Sequence, residues 1–294
     1  MSILPPIASR LSRSTLALAL LVAATSSCGS SGGSGAASGS VTLAGRVVAG
    51  SGLAAARLLP NAATAVVGIT VTAEQGGTIV DTTLTDAEGR FELGVSPGRV
   101  TLRFTTSGLD VSLDLTVPEG STVAVTITLS STGASLVDGV ATRGRLTCDH
   151  GSLDVDVGDD TSLVIEGGGD ACILATGNCS ISVFARDVTL SGCDRCVDAR
   201  GTADVQVAAS GGELACASSG DGVSATGNAS VALGSEGRLT ISSSHGTAIT
   251  AGGNSNVAIA SSTGCAVSGA DGAISRQGSA AVDTGGCAVL DASP

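Results

Sequence analysis

The sequence predicts an all-β chain, an N-terminal seven-stranded β-sandwich followed by a parallel β-solenoid. Three observations predict it. Apolar residues alternate with polar ones through several runs between residues 41 and 131, the period of half-buried strands. A unit of 24 to 26 residues recurs after about residue 140, the length of one solenoid coil. The third is aromatic poverty: three Phe, no Tyr and no Trp among 294 residues leave a core of Val, Ile, Leu and Ala, which suits closely stacked strands.

Composition also excludes functions. All 14 basic residues are Arg and stand against 26 acids, giving a net charge of −12. Without a basic block the chain cannot neutralise nucleic-acid phosphates, so nucleic acid is not an expected partner. The scarcity of aromatic rings likewise removes base-stacking surfaces and sugar platforms.

At the N-terminus, Arg10 and Arg13 precede an apolar run from Leu16 to Ala24, too short to span a bilayer, as in an export signal. The following Thr25-Ser26-Ser27-Cys28 resembles the lipobox of bacterial lipoproteins, with Thr25 where Leu is usual. The resemblance implies a signal peptide over 1–27 and a lipid on Cys28; ordinary cleavage after Ala24 is the competing reading. Nine cysteines make an odd count, and lipidating Cys28 leaves eight to pair in an oxidising compartment. Residues 28–40 read as a Gly/Ser tether. By the same resemblance, Gly29 directs the protein to the outer membrane of a double-membraned host. The expected location is therefore the envelope or cell surface, with the membrane as partner through the lipid.

In the sandwich, 41–131, strands are expected at Val41–Val48, Ile69–Ala73, Ile79–Leu84, Arg90–Val95, Val100–Phe104, Val111–Val117 and Val123–Leu129. Leu53 to Ala65, with Pro60 and Asn61, reads as a long loop. In Thr85-Asp86-Ala87-Glu88-Gly89-Arg90-Phe91, Asp starts a turn, Gly supplies a positive φ, and Phe91 re-enters the core. Together with Gly68 to Ala73 before it and Ser96-Pro97-Gly98 after it, the pattern resembles the carboxypeptidase regulatory-like domain of the transthyretin-like sandwiches. That group implies an accessory module rather than a catalyst. Related adhesin repeats cross-link Lys to Asn, which a chain without lysine cannot do. Turn formation accounts for Asp86 and Glu88 without a metal.

The solenoid is expected over 138–290. Ile173, Val197, Val223 and Ile249 open matching units that pass through Gly-Asn or Gly-Thr corners at Gly177, Gly201 and Gly227. Second strands follow at Ile181 and Val231, and third strands near Leu190, Leu214 and Leu239. Later intervals look irregular, Val267 following Ile249 by 18 and Val289 following Val267 by 22. The pattern resembles right-handed parallel β-helix proteins, and the handedness is what the resemblance implies.

Candidate chemistry is sparse. Cys193-Asp-Arg-Cys196 has redox spacing but no predicted helix to lower a thiol pKa. Export favours disulfides over a zinc site built with Cys148, His150 and Cys179. Cys172 and Cys196 each precede a repeat's first apolar residue, so stacking at about 4.8 Å predicts Cys172–Cys196. The same reasoning predicts Cys265–Cys287, and nearby registers predict Cys193–Cys216 and Cys148–Cys179. Asp154 and Asp156 alternate with Leu153, Val155 and Val157 as the wet face of a strand, and with Asp159 and Asp160 they do not follow a calcium-loop pattern. Asp159-Asp160 with His245-Gly246 resembles the acid pair and histidine of polygalacturonase-like hydrolases, but 85 residues, more than three coils, separate the acids from the histidine, too far for one site built around a single glycosidic bond. No metal or cofactor is expected. The function expected is a non-catalytic envelope lipoprotein presenting the solenoid as a scaffold or recognition module, with a carbohydrate-active β-helix enzyme as the alternative. Should a polar glycan or protein bind, Arg186, Arg195 and Arg200 are the local basic group to receive it.

Overall fold

The computed structural model describes residues 40–50 and 65–290. The signal peptide, Cys28, the tether up to residue 39 and most of the Leu53–Ala65 stretch lie outside the described residues. Every element among the described residues is a strand.

Eight strands build the sandwich: β1 (Val41–Ala49), β2 (Thr70–Gln75), β3 (Thr78–Leu84), β4 (Arg90–Val95), β5 (Gly98–Thr106), β6 (Leu109–Val117), β7 (Ser121–Ser130) and β8 (Gly133–Arg143). One layer is β3-β2-β5-β6, all antiparallel; the other is β4-β1-β7-β8, in which β1 runs parallel to β7. Alternation decides which side chains meet between them. Leu43, Val47, Phe91, Leu93, Val123 and Ile127 from one layer face Val71, Val100, Leu102 and Phe104 from the other, and all are buried. Phe91 and Phe104 pack edge to face with centroids 6.3 Å apart. Phe91 lies over Gly45, its cross-strand partner, where a Cβ would strike the ring.

The outer side of β4 is a sheet edge, which left bare would invite pairing with another chain. Side chains close it. Asp81 Oδ2 accepts from Gly94 N at 2.7 Å, and the Gln75 amide bonds both N and O of Ser96, as a neighbouring strand would.

The eighth strand joins the two architectures. It pairs antiparallel with β7 on one side and parallel with β10 (Thr161–Glu166) on the other, so the sandwich layer continues into the solenoid as one ten-stranded sheet. Arg143 falls on this seam, opposite both Ser121 and Ile165. Burial lowers its pKa against the pull of Glu119, and its Nε is buried with no hydrogen-bond partner among the described residues.

Among the described residues the solenoid has six turns, each contributing one strand segment to each of three parallel faces. The first turn is β9 (Leu146–Asp156), which spans two faces, and β10. The second is β11 (Ala171–Ala185), again across two faces, and β12 (Val188–Cys193). Then come β13 (Arg195–Gly201), β14 (Asp204–Ala209) and β15 (Leu214–Ser218), followed by β16 (Val223–Gly227), β17 (Ser230–Ser235) and β18 (Arg238–Ser243). The last two are β19 (Ile249–Gly253), β20 (Asn256–Ser261) and β21 (Gly264–Gly269), and β22 (Ile274–Gly278), β23 (Ala281–Asp283) and β24 (Ala288–Leu290).

Register stacks like on like. Ile173, Val197, Val223, Ile249 and Ile274 form one interior column, and Ile181, Val205, Val231, Val257 and Val282 another. Ile249 is therefore followed by Ile274, 25 residues on, and not by Val267. Val267 stands over Ile241 on the third face, which removes the apparent irregularity of the late coils. The Gly-Asn corners have a steric cause. Gly227 has φ +82°, and a Cβ there would meet Gly201 O of the coil before at 2.8 Å.

The inward alanine column Ala175, Ala199, Ala225, Ala251 ends in Arg276. Arg276 is exposed, unlike the buried alanines of the column before it. Val207, Leu233 and Ile259 stack in the same way on the second face, and the ladder of the last coil there ends at Ala258 opposite Asp283.

Candidate functional site

Four disulfides tie the coils. Cys148–Cys179 links the first and second turns, and Cys265–Cys287 the fifth and sixth. The other two correct the expected pairing: Cys172 bonds to Cys193 and Cys196 to Cys216, instead of Cys172–Cys196 and Cys193–Cys216. Cys193 stands opposite Ser218, while Cys216 stands opposite Leu190, so the second expected pair is out of register. Cys172 and Cys196 do occupy equivalent places on β11 and β13, but each turns into the corner where its own coil's first and third faces meet. There Cys172 finds Cys193 at a Cα distance of 5.6 Å, and Cys196 finds Cys216 at 5.8 Å. Both bonds thus close a coil on itself instead of joining two coils.

The three arginines singled out in the sequence do not converge, and aspartates hold all of them. Arg195 and Arg200 flank Asp198 on β13: Arg195 Nη1 lies 3.1 Å from Oδ2, Arg200 Nη2 2.6 Å from Oδ2, and Arg200 Nε 3.0 Å from Oδ1. Asp198 is 1% exposed, and its hydrogen bond to Arg200 raises that guanidinium's pKa. Arg186 sits at another corner, where it reaches Asp138 Oδ1 on β8 (2.8 Å), Ser162 Oγ on β10 (2.7 Å) and Asp187 Oδ2 (2.8 Å). Asp187 also accepts from Ser162 Oγ at 2.7 Å and from Glu213 N at 2.8 Å. Burial pushes its carboxyl up, but the hydrogen bonds from Arg186, Ser162 and Glu213 together hold it below the ordinary carboxylate value. The network ties sandwich to solenoid and one coil to the next.

The remaining candidates also separate. Asp154 and Asp156 lie on β9 on alternate positions from the buried Val155, and Asp156 Oδ1 caps the following turn through Gly158 N. Asp159 and Asp160 follow in that turn, at the corner between second and third faces. His245 lies between β18 and β19, at the corner between third and first faces, with Nδ1 2.9 Å from Ser244 Oγ and 3.2 Å from Ser219 O. Asp86 Oδ1 accepts from Glu88 N and Arg90 N, which is turn chemistry.

Sequence reasoning missed a groove on the outer side of β4-β1-β7-β8. It encloses about 590 Å³ and is floored by Ala44, Ala124 and Val140, which stand in one cross-strand row with Glu92. The adjacent row is Arg90, Arg46, Thr126 and Asp138. Arg46 and Arg90 are 44 residues apart in sequence and directly opposite on neighbouring strands. Only the β1–β4 register brings them together; the alternation that marked both strands carries no register.

The family model of the carboxypeptidase regulatory-like domain matches residues 42–130, from β1 to the end of β7. Among solved structures, a 5-hydroxyisourate hydrolase from Klebsiella pneumoniae is similar at 17% identity, over 33% of this chain and 90% of its own, with a TM-score of 0.24. No curated protein matches the chain.

Proposed function

We propose that this is a non-catalytic, lipid-anchored protein of the bacterial envelope that holds out a disulfide-stapled solenoid as a rigid scaffold or recognition module. One observation carries the reading: the four disulfides use all eight cysteines beyond Cys28. Such dense cross-linking belongs to an oxidising compartment, and it leaves the odd cysteine three small residues after an apolar export-like run. The regulatory-like sandwich supports the reading as an accessory module, and the shared sheet fits a spacer that holds the solenoid off the membrane.

Fractionation of the native host tests it. Cys28→Ala should move the protein from the membrane to the soluble fraction; unchanged membrane retention, or a mature N-terminus at Thr25, would overturn the anchor. Turnover of a uronic-acid polymer by the purified chain, lost on changing Asp159, Asp160 or His245, would replace the scaffold by the enzyme alternative.

A further inference from the structure

Arginines on the opposite layer of the sandwich are matched across strands by acids. Arg99 bridges Asp114 and Arg103 bridges Asp110, both between β5 and β6. The β1–β4 pair departs from this pattern. Arg46 faces Arg90, and among the described residues neither has a carboxylate within ion-pair distance. Like charges directly opposite each other destabilise a sheet. In a chain of net charge −12, acids to neutralise them are plentiful, which makes the bare pair the more notable.

The acids lining the same groove are occupied or set apart. Asp86 Oδ1 is held by the backbone N of Glu88 and Arg90, Asp138 is bonded to Arg186, and Glu92 belongs to the next row, opposite Ala44. Arg46 Nε donates to Glu88 O at 3.3 Å; its Nη groups and the Arg90 guanidinium have no hydrogen-bond partner among the described residues. The floor of small side chains admits a ligand close to the sheet.

We propose that Arg46 and Arg90 form an oxyanion-binding site at one end of this groove, with their two planar forks seating a carboxylate, sulfate or phosphate group of a ligand. Guanidinium forks match such groups bidentately, and a second positive charge strengthens the hold while the anion relieves the like-charge repulsion. The site lies in the sandwich, not on the solenoid, and does not depend on lipid anchoring.

Calorimetric titration of the full chain tests it with two probes, a uronic-acid tetramer and inorganic phosphate, at low and high salt. Binding of either should weaken roughly tenfold or more in Arg46→Gln and in Arg90→Gln, the loss of a charge-assisted contact, and should weaken with salt. Arg99→Gln removes an equal charge from the other layer and should leave binding unchanged. Whichever probe binds distinguishes a lone ion from an anionic group on a chain. Thermal melts provide the second readout: relief of the like-charge pair leaves Arg46→Gln and Arg90→Gln as stable as the parent or more so. Failure of both probes to bind, binding that survives both substitutions, or a marked loss of stability in either variant would overturn the site.

Discussion

At Gly227 and Asp187 single residues set the geometry of whole coils. Gly227 must take a left-handed φ with the carbonyl of Gly201 against it, so Gly227→Ala should cost about 1–3 kcal/mol. A melt should register this as several degrees of Tm, at about 2–4 °C per kcal/mol for a unit of this size; an unchanged Tm would mean that the corner relaxes. Asp187 provides a pH-dependent test. Its folded pKa is lowered, so the stability it contributes is complete above the ordinary carboxylate pKa, about 3.9, and is lost as pH falls through the folded value. The Tm gap between parent and Asp187→Asn should therefore be constant near neutrality and shrink below about pH 4. The corner glycine was legible in the sequence because it recurs at fixed spacing. The role of Asp187 was not, since its partners Ser162 and Glu213 lie one coil away on either side.

Among elements, period and register behave differently. Alternation located seven sandwich strands, and the recurrence of Ile173, Val197, Val223 and Ile249 located four coils, because each pattern repeats within the sequence itself. Pairing between strands does not. Cys172 and Cys196 share a height in the stack, but which sulfur each reaches depends on how a corner turns, and Val267 was misaligned because third-face residues resemble first-face ones. The two intra-coil bonds close loops with separations of 21 and 20 residues. Chain entropy gives each about 3 kcal/mol. Replacing Cys172 and Cys193 together by Ala should lower stability by about that amount in denaturant melts, and a loss well under 1 kcal/mol would show that the interior stack holds the coil without the bond.

For the whole molecule, the decisive feature is that β8 belongs to both sandwich and solenoid. Alternation fades near residues 131–138, which predicts a domain boundary, yet the backbone there runs on as a β7–β8 hairpin. A shared sheet should make unfolding a single transition. Gly139 pairs with Thr161 across the seam, where a Cβ would meet Thr161 Oγ1 at 2.9 Å. Gly139→Val should therefore part β8 from β10 and split the calorimetric transition in two; two transitions in the parent would mean that the halves are uncoupled. Non-reducing peptide mapping of the protein from its native host tests at once the coil register and oxidation outside the cytoplasm. The expected peptides are Cys148–Cys179, Cys172–Cys193, Cys196–Cys216 and Cys265–Cys287, with no free thiol among the eight. Recovery of Cys172–Cys196, or of eight free thiols, would contradict this pairing.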